Sequence, residues 1–276
     1  MKRLVIKSLK IITITLLVLY LGVCGLLYFK QESLLFHPNP KTFAEIQRII
    51  HANPEFDTIN FMMKDGTRIS GYISKHKAEA KLPLVIYFEG NTEEVSHVMS
   101  KQKYFENSVV ALINYRGFGL SEGKPTEKTM FSDAVEVYDR LKHNPDIDTN
   151  RIFVIGRSIG TGVATYLSSQ RRVCETILIT PYDSMVDLAQ EKYPFVPIFM
   201  IIKHPFESNK YAQKITSQML ALIAKNDVVI PTKHAFNLIH AWNGKTSYLE
   251  VDADHSSIME NEMVWKKIEE SIDKKN

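Results

Sequence analysis

Ser158, Asp227 and His255 are the side chains on which this sequence could run nucleophilic acyl chemistry. A serine hydroxyl attacks poorly until a base takes its proton, and an imidazole serves as that base when a carboxylate orients it. Ser158 stands in Gly156-Arg157-Ser158-Ile159-Gly160, after a β-branched and aromatic run at 151–155 and before small and apolar residues at helical spacing. That pattern predicts strand, sharp turn, helix. A serine on such a turn takes a left-handed backbone conformation, and the residues two before and two after it must lack bulk, as Gly156 and Gly160 do. The Ile159 amide then faces the same point from the positive end of the helix, where it can hold a developing oxyanion.

The other two residues follow in the order acid, then histidine, each just past a later strand. Asp227 comes after the apolar run 219–224 and before Pro231. Of nine histidines, His255 alone stands between the last strand (247–251) and the last helix. Asp252 and Asp254 share its loop and could also orient it, but capping the following helix is their simpler role. The second oxyanion donor should come from the loop after the strand at 83–88, which reads Glu89-Gly90-Asn91-Thr92. There the Asn91 amide is the candidate, with Thr92 as the fallback. Glu89 is an unexpected neighbour for a site that stabilises negative charge, so it should be turned away, hydrogen-bonded or protonated. It is counted with the substrate-binding candidates.

These residues need a scaffold, and the pattern supplies one. Strands at 58–63 and 67–73 flank Lys64-Asp65-Gly66, a hairpin signal. Strands at 83–88, 108–114, 151–155, 176–179, 219–224 and 247–251 then alternate with helical segments at 93–106, 128–143 and 258–272. Such alternation predicts an α/β chain with a mostly parallel central sheet, an antiparallel N-terminal hairpin and helices on both faces. An insertion at about 185–206, whose stretch 193–206 is apolar and proline-rich, breaks the rhythm and falls on the carboxyl edge, where ligands bind. It reads as a lid or acyl-binding wall, or else as an irregular helix plugging the core. Phe195 and Phe199 are its substrate-binding candidates.

The N-terminus differs in kind. Residues 11–29 carry no charge, which is close to the length a membrane-spanning helix needs. Lys2, Arg3, Lys7 and Lys10 before the run outweigh Lys30 after it, so an uncleaved signal anchor would leave its N-terminus in the cytoplasm and the globular part on the far side. The chain then divides into an anchor (1–30), a linker (31–56) that includes a short helix near 42–51, and an α/β unit (57–276). Within the linker, Leu34, Leu35 and Phe36 could rest on the membrane or cap the globular part. Cys174 is the one cysteine outside the anchor, which excludes an internal disulfide there. With a net charge of only +3 and no basic stripe, nothing points to nucleic acid.

Taken together these segments resemble the α/β-hydrolase superfamily, and within it the membrane-anchored serine hydrolases of the α/β-hydrolase domain-containing type. The resemblance runs from about residue 57 to the end. It is carried by Gly156 to Gly160, by Phe88-Glu89-Gly90-Asn91, by the loop from Asn114 through Arg116 to Gly123, by Thr180 to Ser184, by Asn226 to Pro231 and by Asp254-His255. It implies an α/β-hydrolase fold and a Ser158-Asp227-His255 triad with the oxyanion held by Asn91 and Ile159. The reaction it implies is hydrolysis of a carboxylic ester or thioester, lipid esters among them, with no metal and no organic cofactor. Relatives usually carry histidine where this chain has Glu89. The 115–123 loop should be structural and pocket-shaping, with Arg116 a candidate contact for a substrate carboxylate or phosphate. A peptidase or acyltransferase on the same residues, or a non-catalytic membrane-tethered binding protein, are the competing expectations.

Overall fold

The computed structural model describes residues 2–76 and 80–273. Its first element is α1 (Lys2–Leu35), which stands clear of the rest over most of its length. This helix is long and apolar enough to cross a membrane. It continues past residue 30 because no helix breaker intervenes before Pro38. Thr42 then starts α2 (Phe43–Ala52) through a reciprocal cap: its hydroxyl accepts the Glu45 amide, and its own amide donates to Glu45 Oε2 at 2.7 Å.

Eight strands form one sheet in the order β1 (Phe56–Met62), β2 (Arg68–Ser74), β4 (Val109–Ile113), β3 (Leu82–Phe88), β5 (Ile147–Arg157), β6 (Glu175–Ile179), β7 (Gln218–Ala224), β8 (Thr246–Val251). The β1–β2 and β2–β4 pairs are antiparallel and the others parallel. The turn between β1 and β2 is set by Gly66 at φ 82° and by Asp65, whose carboxylate accepts the Thr67 amide. The central strands read as unbroken apolar runs because both faces are covered. On β3, Leu84, Ile86 and Phe88 join one buried cluster while Val85 and Tyr87 join the other.

The first cluster lies beneath α3 (Glu127–Leu141), α4 (Ile159–Gln170), α7 (Ser208–Ala212) and α8 (Thr232–Ala241). The second lies beneath α2, a 3-10 helix at Val95–Tyr104 and α9 (Glu262–Asp273). Between β6 and α7 run α5 (Met185–Lys192) and the single turn α6 (Ile198–Ile201). Two helical expectations differ in detail. The stretch at 93–106 is a 3-10 helix, and the final one is split: a 3-10 turn at Ser257–Glu260 ends at Asn261, whose side chain caps α9 by accepting the Met263 amide at 3.0 Å.

Phe36 is buried in the first cluster with Tyr115 and Phe118, and Leu35 packs against it, while Leu34 stays exposed. The end of α1 therefore caps the globular part. The chain after it is strapped down by an exchange of backbone bonds: Gly119 N–H donates to Asn39 O and Lys41 N–H to Gly119 O.

Candidate active site

Ser158 sits at the β5–α4 junction with φ 51° and ψ −121°, the left-handed conformation expected of a strand-to-helix elbow. Both flanking glycines are forced by contact. A Cβ on Gly156 would meet Gly160 O at 2.3 Å, and one on Gly160 would meet Phe88 O at 2.3 Å. Strand, helix and the loop after β3 thus reach closest approach at the serine. Its backbone is fixed by Ser158 N–H donating to Ile179 O at 2.9 Å and by Thr161, which donates to Ser158 O.

Two parallel strand ends bring up the other residues. Lys225 N–H donates to Val251 O and Asn226 N–H to Ala253 O, so the β7–β8 pairing extends into the two loops that carry Asp227 and His255. Asp227 is buried; its Oδ1 accepts the Val229 and Ile230 amides at 2.8 and 2.7 Å, and its Oδ2 lies 2.7 Å from His255 Nδ1. On the other side of the ring, His255 Nε2 is 3.0 Å from Ser158 Oγ. Residues far apart in sequence therefore form one hydrogen-bonded chain. The neighbouring acids are otherwise engaged: Asp254 Oδ1 accepts the Ser256 and Ser257 amides, and Asp252 accepts from Asn226 Nδ2.

Asn91 and Ile159 both border the cavity at Ser158. Glu89 does not point into that cavity. It is buried beneath the loop, where Oε1 takes the Gly90 amide at 2.7 Å and Arg157 Nη1 at 2.8 Å, and Oε2 takes Tyr87 Oη at 2.9 Å and His97 Nε2 at 3.1 Å. Burial alone would push its carboxyl up, but the His97 hydrogen bond, the Arg157 charge and the Gly90 amide outweigh it and hold the group at about 2. Glu89 is therefore hydrogen-bonded and ionised. In return it raises His97 above its usual value against the opposing effect of burial. Its carboxylate braces the loop, so a substrate contact through Glu89 is not what the geometry offers.

The loop is also held by the end of α1, which the sequence did not reveal. Asn91 Nδ2 donates to Leu35 O at 2.7 Å, and His37 N–H donates to Asn91 O at 3.0 Å. Leu27, Leu34 and Leu35 go on to line one wall of a cavity of about 500 Å³ that reaches Ser158 and His255. Met185, Leu188, Tyr193, Ile198, Ile201 and Ile202 also line it. Phe195 and Phe199 are not part of that wall. They are 87% and 74% exposed on the outer side of the segment, because Val196 and Ile198 take the inward positions.

Arg116 is committed elsewhere: Asp133 receives its Nε and Nη2 at 2.8 Å each, and Asp65 receives Nη1 at 2.7 Å. It ties the 115–123 loop to α3 and to the β1–β2 turn. As for metal ligation, Glu89, Glu93 and His97 bring donor atoms within 4.8 Å of one another. Arg157 Nη1 lies 2.8 Å from Glu89 Oε1 and 3.5 Å from Glu93 Oε2, so a guanidinium already supplies the cation at that spot.

No family model matches the chain. It is 27% identical over 233 residues to the alpha/beta hydrolase domain-containing protein WAV2 of Arabidopsis thaliana, covering 77% of this chain and 75% of that one. Similarity to the lysophosphatidylserine lipase ABHD12 of Danio rerio is 29% over 174 residues, 54% of this chain and 44% of the other. Among solved structures, the Pyrococcus furiosus esterase PF2001 has the same fold, with a TM-score of 0.65 at 18% identity over 87% of this chain and 97% of that one.

Proposed function

We propose that this chain, a member of the α/β-hydrolase superfamily, is a membrane-anchored serine hydrolase that cleaves carboxylic ester or thioester bonds through an acyl-enzyme. The observation that carries the reading is the hydrogen-bonded chain Ser158–His255–Asp227, whose serine and histidine line a largely apolar cavity. His255 takes the Ser158 proton as Oγ attacks the acyl carbonyl, and Asp227 holds the ring so that Nε2 faces the serine. The Asn91 and Ile159 amides receive the oxyanion. His255 then returns the proton to the departing alcohol or thiol, and a water activated by the same imidazole releases the acid.

An apolar cavity of this size suits an acyl chain better than a peptide, whose backbone groups would go unpaired against leucine and isoleucine walls. The lipase and esterase among the related proteins support an ester substrate. The helix α1 supports anchoring; the excess of basic residues before its charge-free run supports a cytoplasmic N-terminus with the hydrolase on the opposite side.

A fluorophosphonate probe and a short p-nitrophenyl ester test the reading together. Labelling at Ser158 with ester turnover, both lost in Ser158→Ala, is the expected result. Turnover that survives Ser158→Ala unchanged would refute it, and a folded protein that takes neither label nor ester would support the binding-protein alternative.

A further inference from the structure

We propose that the outer face of the α5–α6 segment is a membrane-immersed rim, with Phe195, Phe199 and Met200 inserted into the leaflet that α1 leaves, and that substrate reaches the cavity from that leaflet. The proposal rests on the reading of α1 as a bilayer anchor. Phe195, Phe199 and Met200 are 87%, 74% and 71% exposed on one short segment. An apolar cluster of that kind on a water-soluble face is unfavourable and marks a contact surface. Its occupant follows from what holds the segment in place.

That tether is α1 itself. Gln31 Nε2 donates to Ile201 O at 2.9 Å, Lys203 N–H donates to Gln31 Oε1 at 2.7 Å, and Lys203 Nζ lies 4.7 Å over the ring of Tyr28. The charge-free run ends at Phe29, and Gln31 is two residues on, roughly 3 Å along a helix axis. The rim therefore stands at the boundary between hydrocarbon and headgroups. Tyr28, Lys30 and Lys203 are the residue types that favour that depth, and lysines there also attract anionic headgroups.

The cavity leads to the same boundary. Its α1 wall starts at Leu27, inside the charge-free run, and ends at Leu35, whose carbonyl holds Asn91. A second exposed point beside it is the loop after β7, where Val228 and Val229 are 90% and 60% exposed and Val229 lines the cavity. A substrate that keeps its acyl chain in the leaflet can slide along this wall to Ser158 without exposing the chain to water. The substrate class is thus an amphiphilic acyl ester resident in the membrane.

The test uses the full chain in vesicles of phosphatidylcholine and phosphatidylglycerol whose acyl chains carry bromine, a fluorescence quencher. Trp242 and Trp265 are buried and provide the background. Phe199→Trp and Leu17→Trp should both be quenched beyond that background. Quenching at 17 without quenching at 199 overturns the rim and leaves the anchor standing; quenching at neither overturns both. A tryptophan at 199 that escapes lipid quenching yet is shielded from acrylamide would mean that a protein partner covers the face, which also overturns the proposal. None of these readouts depends on catalysis. In an active preparation, Phe199→Asp with Met200→Asp should lower turnover of a vesicle-borne acyl ester roughly ten-fold or more, while a short soluble ester is cleaved within about two-fold of wild type. Equal loss on both substrates would overturn the proposal.

Discussion

Among the described residues two histidines pair with buried aspartates, and their surroundings differ. His255 Nδ1 is 2.7 Å from Asp227 Oδ2, and His234 Nδ1 is 2.8 Å from Asp183 Oδ1. The second nitrogens differ. His255 Nε2 faces the Ser158 hydroxyl at the cavity, whereas His234 Nε2 faces the Glu191 carboxylate at 2.9 Å. Burial alone would push His234 down, but hydrogen bonds to Asp183 and Glu191 more than offset it and hold the ring above its usual value. A ring between two acceptors is satisfied only with both nitrogens protonated, and a histidinium cannot act as a base. His234 instead fastens α8 to the loop after β6 and to α5, with Asn237 also donating to Asp183. The group opposite the second nitrogen separates an imidazole placed to accept a hydroxyl proton from one held as a structural clasp.

This contrast can be broken at its strongest point first. Ser158→Ala and His255→Ala should each cut kcat for a short ester by about 10^4-fold or more, and the double variant should be little worse than either, because the residues act as a unit. Asp227→Asn should cost about 10^3- to 10^4-fold, since its geometry survives while the ring loses its correct tautomer.

His234→Asn should leave kcat per folded molecule within about three-fold but lower stability by about 2–4 kcal/mol, read as a fall in Tm, because Asp183 remains buried without its cation. A large loss of kcat without a fall in Tm would abolish the distinction. The smallest effect is a pH dependence. His234 is raised above 6.5 in the fold, so its stabilising contribution is complete below about 6.5 and is lost as pH rises through the folded value. Asp183 is lowered below 3.8: burial pushes it up, but hydrogen bonds from His234, Asn237 and the Ser184 amide prevail, so its contribution is present above about 3.8 and lost on acidification. The Tm gap between wild type and His234→Asn should therefore be widest between about pH 4 and 6.5 and narrow above that window.

Legibility followed locality. The strand, turn and helix around Ser158 were readable because two glycines, a β-branched run and a helical spacing all fall within a dozen residues. Asp227 and His255 were readable from chain order, since loops after later parallel strands must lie on the same sheet edge. What escaped involved partners with no local signature. Nothing in the spacing of Glu89, His97 and Arg157 announces that they form one hydrogen-bonded cluster, and Gln31 and Leu35 look like the frayed end of an apolar helix. Phe195 and Phe199 were expected to line the cavity because the stretch 193–206 is largely apolar, without a period to tell inside from outside.

The sequence by itself determined the α/β alternation, the charge-free N-terminal run and the choice of the three residues that meet in one hydrogen-bonded chain, because periodicity and turn chemistry act over a few neighbouring positions. Only the tertiary structure decided which histidine faces a hydroxyl and which a carboxylate, that Glu89 is an ionised brace beneath the loop after β3, and that α1 supplies a wall of the cavity. Those outcomes depend on through-space distances of 2.8 to 3.0 Å between groups up to 170 residues apart, set by how the sheet and its loops pack.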